Sequence, residues 1–472
     1  MPPVILWFRR NLRLHDNLAL RAAVDSGQPV LPVYVSDELD SGAASRWWLH
    51  YSLAGLDAAL REHGAGLVIR SGRPEEVLPR IVSATGAEAV VFSRRYEPHA
   101  RAQERSLENA LADDCDVSGF DDGVIRHPWT VMTKSGTPYK VFTPFWRAAS
   151  APGEPERPAS KPAGFQTTTA GLDKGDIDAL GLLPTGPDWA GGLRETWAPG
   201  EEGAFERLDA ACSIAGDYAD NRDRPDLEGT SRLSPHLHFG ELSPRQVWHD
   251  IRSATPANGQ QGADALLRQL YWRDFSSYLL YHFPHLPDQP LRDEFKQFPW
   301  TDDADGLQAW QHGRTGYPIV DAGMRQLWAT GWMHNRVRMI VASFLVKDLL
   351  VPWQAGADWF LDTLVDADLA NNSASWQWVA GCGTDATPYF RIFNPVLQGK
   401  KFDPMGDYVR RWVPELERFP AKYIQEPWAA NLENQKSANV IVGEDYPEPI
   451  VNHGDARDLA LESYRAIRKQ DA

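Results

Sequence analysis

At 472 residues the chain is too long for one hydrophobic core and suits two domains. Its formal net charge of −16 argues against diffuse electrostatic binding of nucleic acid and leaves a local basic patch as the only route to such a partner. Cys115, Cys212 and Cys382 lie too far apart for a CxxC metal site or a four-cysteine cluster, and they fit a reduced cytoplasm.

From Val4 to about Phe120, short apolar runs alternate with helical patterns. The runs are VILWF at Val4, VLPVYV at Val30, LVIR at Leu67 and AVVFS at Ala89; RWWLHYSLAGLDAALREHG from Arg46 has helical spacing. Such alternation predicts βα units and a parallel sheet buried on both faces, with its carboxyl edge as the default ligand position. No GxGxxG follows the first run, so a nicotinamide-type dinucleotide site has little support. VILWF begins at the fourth residue with no charged leader before it, and no segment reaches the roughly 20 apolar residues of a membrane span. The expectation is a soluble, cytoplasmic monomer. Between Ala148 and Gly200, Pro, Gly and Thr accumulate (APGEPERPASKPAG, LLPTGPDWAGG), which reads as a connecting segment wrapped over the surface. Beyond Glu201 the patterns are helical. The expected organisation is an α/β domain with a five-stranded, parallel, Rossmann-like sheet over 1–130, a linker over 131–200 and an all-α domain over 201–472.

Within the helical part, Gly229-Thr230-Ser231-Arg232-Leu233-Ser234-Pro235 sets three hydroxyls just ahead of a helix. A diphosphate suits that arrangement, because helix N-termini offer unpaired N–H donors. An ordinary N-cap at Ser234 with Pro at N1 reads equally well. Further on, ANNSASWQWVAG over 370–381 separates two tryptophans by Gln377 alone. On a helix Trp376 and Trp378 then point about 200° apart, one toward a buried cofactor network and one toward a pocket; alone, the pair reads as core filler. Between residues 389 and 412, Arg391, Lys400, Lys401, Arg410 and Arg411 face only Asp403 and Asp407, five cations against two carboxylates, an excess of +3. That stretch suits phosphates or is a solvated surface.

These stretches occur with TSRLSPHLHFGELSPRQV from Thr230, QLYWRDF from Gln269, GYPIVDAGMRQLWATGWMHNRVRMIVASFLVKDLL from Gly316, DADLANN from Asp366 and an FRIFNP turn from Phe390. Together they resemble the FAD-binding helical domain of the DNA photolyase and cryptochrome family. The opening ILWFRRNLRLHDNLAL extends the resemblance over nearly the whole chain, nearest to class I cyclobutane pyrimidine dimer photolyases.

The resemblance implies light-driven repair of DNA carrying UV-induced pyrimidine dimers. Excited FADH⁻ donates an electron to a flipped-out dimer, the C5–C5 and C6–C6 bonds open, and the electron returns. Tyr218, Thr230, Ser231, Arg232, Leu233 and Ser234 would cradle the FAD phosphates. Arg273, Arg338, Asp366 and Asp368 would close on the isoalloxazine ring, Arg338 serving as partner to a carboxylate and counter-charge to the flavin. Asn372 would face flavin N5. Trp376, Trp353 in VPWQAG and Trp300 in QFPW would relay electrons from solvent to the photoexcited flavin. Trp272 and Trp378 would wall the lesion pocket, with Asn335, Arg336 and Met339 lining the rest. (6-4) photolyases carry His where Asn335 and Met339 stand, because their chemistry needs a proton donor. Gln269 stands where cyclobutane-dimer enzymes usually place Glu; an amide donates and accepts but supplies no proton. Arg222, Arg336 and Gln398 would sit near the lesion, with Arg391, Lys400 and Lys401 on the phosphates. For a second, antenna chromophore, deazaflavin, FMN, folate or none stay open, since Ser118 precedes the GFDD turn (119–122) where folate-binding members carry an acidic residue. The rival implications are a cryptochrome-like blue-light photoreceptor, which Gln269 favours, a (6-4) photolyase, and a flavoprotein with no DNA role, which the acidic charge favours.

Overall fold

A computed structural model of the chain describes residues 1–37, 42–384 and 390–470. Val4–Phe8 (β1), Val30–Ser36 (β2), Val68–Ser71 (β3), Ala89–Ser93 (β4) and Asp116–Phe120 (β5) pair in parallel as one sheet, in the order β3-β2-β1-β4-β5. The central strand, VILWF, is buried at all five positions, as a parallel strand under helices on two faces must be. The chain runs outward from β1 to β3 and then returns to β4, so strand order reverses between β1 and β4. Connections leave in opposite directions there, and the carboxyl ends open a crevice. Arg9 and Arg10 follow β1, and Arg94 and Arg95 follow β4.

β5 has the sequence DVSGF and lies at the sheet edge, half-exposed, with Ser118 pointing to solvent. Gly119 and Phe120 belong to this strand, so the expected GFDD turn begins only at Asp121. The Pro-rich stretch is irregular but anchored: Thr168 N donates to Val30 O and Ile69 N to Lys174 O.

Close contacts divide the chain into two compact units. The first holds Met1–Ala219, Ser231–Pro284 and Val365–Asp368; the second holds Asp220–Thr230, His285–Leu364 and Leu369–Ala472. In the first, the helix Gln260–His282 turns Trp272, Phe275 and Tyr278 onto Phe142 and Phe145 of the helix Phe142–Ser150. Its buried Asp274 accepts from Ile125 N and Arg126 N. The second unit has no strand among the described residues. Its centre is aromatic: Trp310, Trp353, Phe360 and Trp376 are all buried. No described helix is long and apolar enough to cross a membrane.

Candidate functional site

The phosphate stretch folds as an irregular turn into the short helix Ser234–His238. Leu233, not Ser234, takes the N-cap position, with no side-chain cap hydrogen bond. Ser234 is exposed and its hydroxyl is not used as a cap. The preceding Arg232 has φ 53°, a left-handed conformation that costs a non-glycine residue about 1 kcal/mol or more and recurs where backbone clamps a ligand. Tyr218 is buried at the start of the next helical turn upstream, Tyr218–Asn221. Arg273 is held by two carbonyls, Gly123 O and Leu237 O.

Asp366 and Asp368 lie on the four-residue segment that belongs to the first unit although its flanks belong to the second. Burial alone would raise the Asp368 carboxyl, but His238, Arg10 and Arg273 outweigh it and hold it well below the usual carboxylate range. Also in this unit, Trp272 stacks face to face on Phe142, ring centroids 3.5 Å apart and planes 8° apart, and the residue is still partly exposed. One turn earlier, Gln269 Nε2 donates to Ala265 O at 2.9 Å. A carbonyl only accepts, so the amide is fixed with its oxygen turned outward.

The second unit carries Thr230 and the remaining predicted residues. On the helix Leu369–Ala380, Trp376 is buried at 2% exposure while Trp378 is partly exposed. Between them Gln377 is fully buried: its side chain accepts from Leu291 N and donates to Leu286 O and Gln289 O, at 2.7–2.9 Å. Asn372 Nδ2 donates to Ala357 O at 3.0 Å, which leaves Oδ1 as the outward acceptor. Trp376 meets Phe360 at 5.1 Å and Trp310 at 6.2 Å. Trp353, buried, opens the helix Trp353–Thr363, and Trp300, half-buried, packs on Phe298 at 4.4 Å.

Gly356 touches the Trp376 ring so closely that a Cβ there would lie 2.1 Å from Cη2. Gly356→Ala should therefore cost about 1–3 kcal/mol in overpacking, read as a lower denaturant midpoint with altered tryptophan fluorescence; an unchanged midpoint would contradict this packing.

Asn335 and Met339 stand one turn apart on the helix Asn335–Ser343, Nδ2 to Sδ 3.9 Å. Arg338 Nε donates to Met333 O at 2.8 Å, and Arg336 pairs with Asp223 at 2.9 Å over the ring of Phe402. Arg222 lies 3.9 Å from Asp223, and the Gln398 amide oxygen is buried with no hydrogen-bond partner among the described residues.

The basic stretch is less free than its composition implies. Lys400 pairs with Glu426 at 2.5 Å and Arg411 with Glu228 at 3.5 Å, while Arg410 is spent on Met405 O, Glu417 O and Phe419 O. Asp403 is buried and bonds Tyr408 N and Val409 N, so it opposes nothing at the surface. Arg391 and Lys401 remain exposed; residues 385–389, just ahead of Arg391, lie outside the described set.

Two residues escaped the sequence reading. Gln377 stood there only as a spacer. Lys347, in the π-helical turn Phe344–Asp348, is buried and donates to Ala380 O at 2.6 Å, closing the C-terminus of the helix that carries Asn372 and both tryptophans. Burial pushes its amine well below the usual lysine range. A lone Lys within FLVKDLL, apolar on both sides, was the available signal.

Taken unit by unit, the donor sets fit a flavin dinucleotide. Uncapped amides and hydroxyls suit a diphosphate, an ionised carboxylate suits a ring N–H, and an amide oxygen suits a second. A parallel α/β sheet is thus followed by a helical, tryptophan-rich part whose donor sets suit a flavin. Residues 4–163 match the family model described as DNA photolyase, and residues 266–466 match the FAD binding domain of DNA photolyase. A deoxyribodipyrimidine photo-lyase of Agrobacterium fabrum is 49% identical over 471 residues, 99% of this chain and 98% of that one. Cryptochrome-1 of Arabidopsis thaliana is 39% identical over 96% of this chain and 69% of its own length. The crystal structure of a bacterial class III photolyase from Agrobacterium tumefaciens superposes with a TM-score of 0.96 at 48% identity, covering 99% of this chain and 98% of that one. The chain belongs to the DNA photolyase and cryptochrome family.

Proposed function

We propose that this protein is a light-driven deoxyribodipyrimidine photo-lyase that opens cyclobutane pyrimidine dimers in DNA. The observation that carries the reading is the full-length likeness to a photo-lyase at 49% identity, in a chain that has Asn and Met, not His, at positions 335 and 339. Reduced FAD, when bound, supplies the light-excited electron.

The chain's residues bind, orient and conduct. Thr230, Ser231 and Ser234 take the phosphates with the turn from Arg232 and Leu233, and Tyr218 backs them. Asp366, Asp368, Arg273 and Arg338 set the charge around the ring. Asn372 turns its oxygen to a ring N–H, since its amide nitrogen is committed to Ala357. Trp376, Trp353 and Trp300 form a line of easily oxidised rings. Trp272, backed by Phe142, offers its other face to an extruded base, and Trp378 offers a second wall. Gln269 and Asn335 add hydrogen bonds, and Met339 adds an apolar contact. Arg222, Arg336 and Gln398 serve the lesion, and Arg391, Lys400 and Lys401 the phosphates.

In functional terms residues 1–130 form the antenna-type domain, 131–200 connect, and 201–472 hold the flavin. A cleft of about 390 Å³ in the first unit, lined by Arg94, Tyr96, Asp121, Trp129 and Tyr281, has the aromatic and charged walls an antenna chromophore needs. The protein works as a cytoplasmic monomer, on the nucleoid during repair. A photoreceptor is the second reading, favoured by Gln269 and by the 39% identity to a cryptochrome. Purified protein should shift dimer-containing duplex DNA at a concentration at least about tenfold below that needed for undamaged duplex, a gap of ~1.4 kcal/mol. Equal shifts would turn the choice to the photoreceptor.

A further inference from the structure

β1 ends in two adjacent arginines that part company. Arg9 turns to Glu104 and lies over the ring of Trp7. Arg10 turns the other way, at the crevice where strand order reverses. Its Nη1 lies 3.2 Å from Glu97 Oε1, 3.5 Å from His238 Nδ1 and 3.7 Å from Asp368 Oδ2. All four residues belong to the first unit.

A guanidinium only donates, so the nitrogen that faces it must accept. His238 therefore keeps Nδ1 bare and its proton on Nε2, and the ring is neutral. Nδ1 also lies 3.8 Å from Asp368 Oδ2, beyond hydrogen-bond reach. Arg10 and Arg273 are the permanent cations beside Asp368, and His238 adds its pull on that carboxylate only when it carries a proton. The tendencies of His238 and Glu97 follow the same geometry. Burial first, and then Arg10, pushes His238 down to about 4 against the pull of Asp368 and Asp366. Burial would raise Glu97, but Arg95 and Arg10 bring it down to about 2. The charged groups facing His238 and Asp368 in this unit are thus Arg10, Arg273, Glu97 and Asp366, with Arg95 behind Glu97.

We propose that Arg10 is a positioning residue for the flavin: it fixes Asp368 as an ionised acceptor and locks His238 in its neutral tautomer, so that flavin retention does not change with pH. This rests on the reading that Asp368 contacts the isoalloxazine ring. Arg10→Gln removes the fixed cation. His238, no longer repelled, then takes a proton as pH falls and becomes the cation that pairs with Asp368. Its folded-state pKa is raised relative to the wild type, so the compensation is present at low pH and lost as pH rises through that value.

The test titrates FAD onto the full-length protein by flavin fluorescence at pH 5.5 and pH 8, for the wild type, Arg10→Gln and Arg10→Lys. The wild type should bind equally at both values. Arg10→Gln should bind about tenfold more weakly at pH 8, as expected for the loss of one ion pair beside the ring, and recover most of that loss at pH 5.5. Arg10→Lys, which keeps the charge, should follow the wild type. A loss in Arg10→Gln that is equal at both pH values would reduce Arg10 to a structural part, and no loss would overturn the proposal outright. Histidine NMR on the flavin-free protein gives an independent reading: the His238 resonance should be flat above pH 5 in the wild type and titrate above it in Arg10→Gln. If the wild type bound no FAD, the flavin reading would fail, whereas an unmoved His238 titration in the variant would sink the Arg10 proposal alone.

Discussion

Trp376→Phe should stop blue light from reducing the bound flavin, with the photoreduction rate falling by at least about tenfold, or ~1.4 kcal/mol on the barrier. Phenylalanine is far harder to oxidise than tryptophan and keeps the packing against Phe360 and Trp310. Repair by protein whose flavin has been chemically reduced beforehand should be largely unaffected, because the role proposed for the three tryptophans is to load the cofactor and not to take part in bond splitting. Absorbance under continuous blue light reads the first effect, and dimer loss after dithionite treatment reads the second. Photoreduction at the wild-type rate would assign the donor elsewhere; Trp310, also in contact with Trp376, would then be the next residue to replace.

What the sequence revealed tracks where apolar patterning is strongest. β1, β2 and β4 were legible as VILWF, VLPVYV and AVVFS because a strand covered on both faces must be apolar at nearly every position, and β3, at the other edge, was legible in LVIR through its buried Val68 and Ile69. The edge strand β5, DVSGF, escapes that rule because much of it meets solvent. Motif order placed the helical domain, but charge counting misjudged its surface. The partners of Lys400 and Arg411 are Glu426 and Glu228, one of them distant in sequence, and Asp403 is turned inward to cap the next helix. Tertiary pairings of that kind leave no periodic trace. Arg10 is the same case: the sequence shows the RR pair, but only the fold shows that one arginine faces Glu104 and the other faces Asp368.

The second large effect concerns lesion choice. The protein should remove cyclobutane dimers and leave (6-4) photoproducts intact, because neither Asn335 nor Met339 supplies the proton a (6-4) lesion requires. Gln269→Glu should raise the repair yield per photon. In the present structure the Gln269 amide spends a donor on Ala265 O, an interaction a carboxylate cannot make. Repelled by that carbonyl, Glu would turn outward to the lesion and offer a charge-assisted bond stronger by ~1–2 kcal/mol. A yield unchanged or lowered in Gln269→Glu would mean that the outward amide oxygen already serves the lesion as well as a carboxylate does.

Everything proposed for this chain turns on light-driven dimer splitting. Its most direct measurement is chromatographic loss of lesion from two oligonucleotides, one holding a cyclobutane thymine dimer and one a (6-4) photoproduct, incubated with reduced protein in blue light and in darkness. Loss of the cyclobutane dimer is expected in light only, with the (6-4) oligonucleotide unchanged. Repair of the (6-4) lesion would contradict the assigned pocket, and no light-dependent loss of either lesion would contradict the repair function itself.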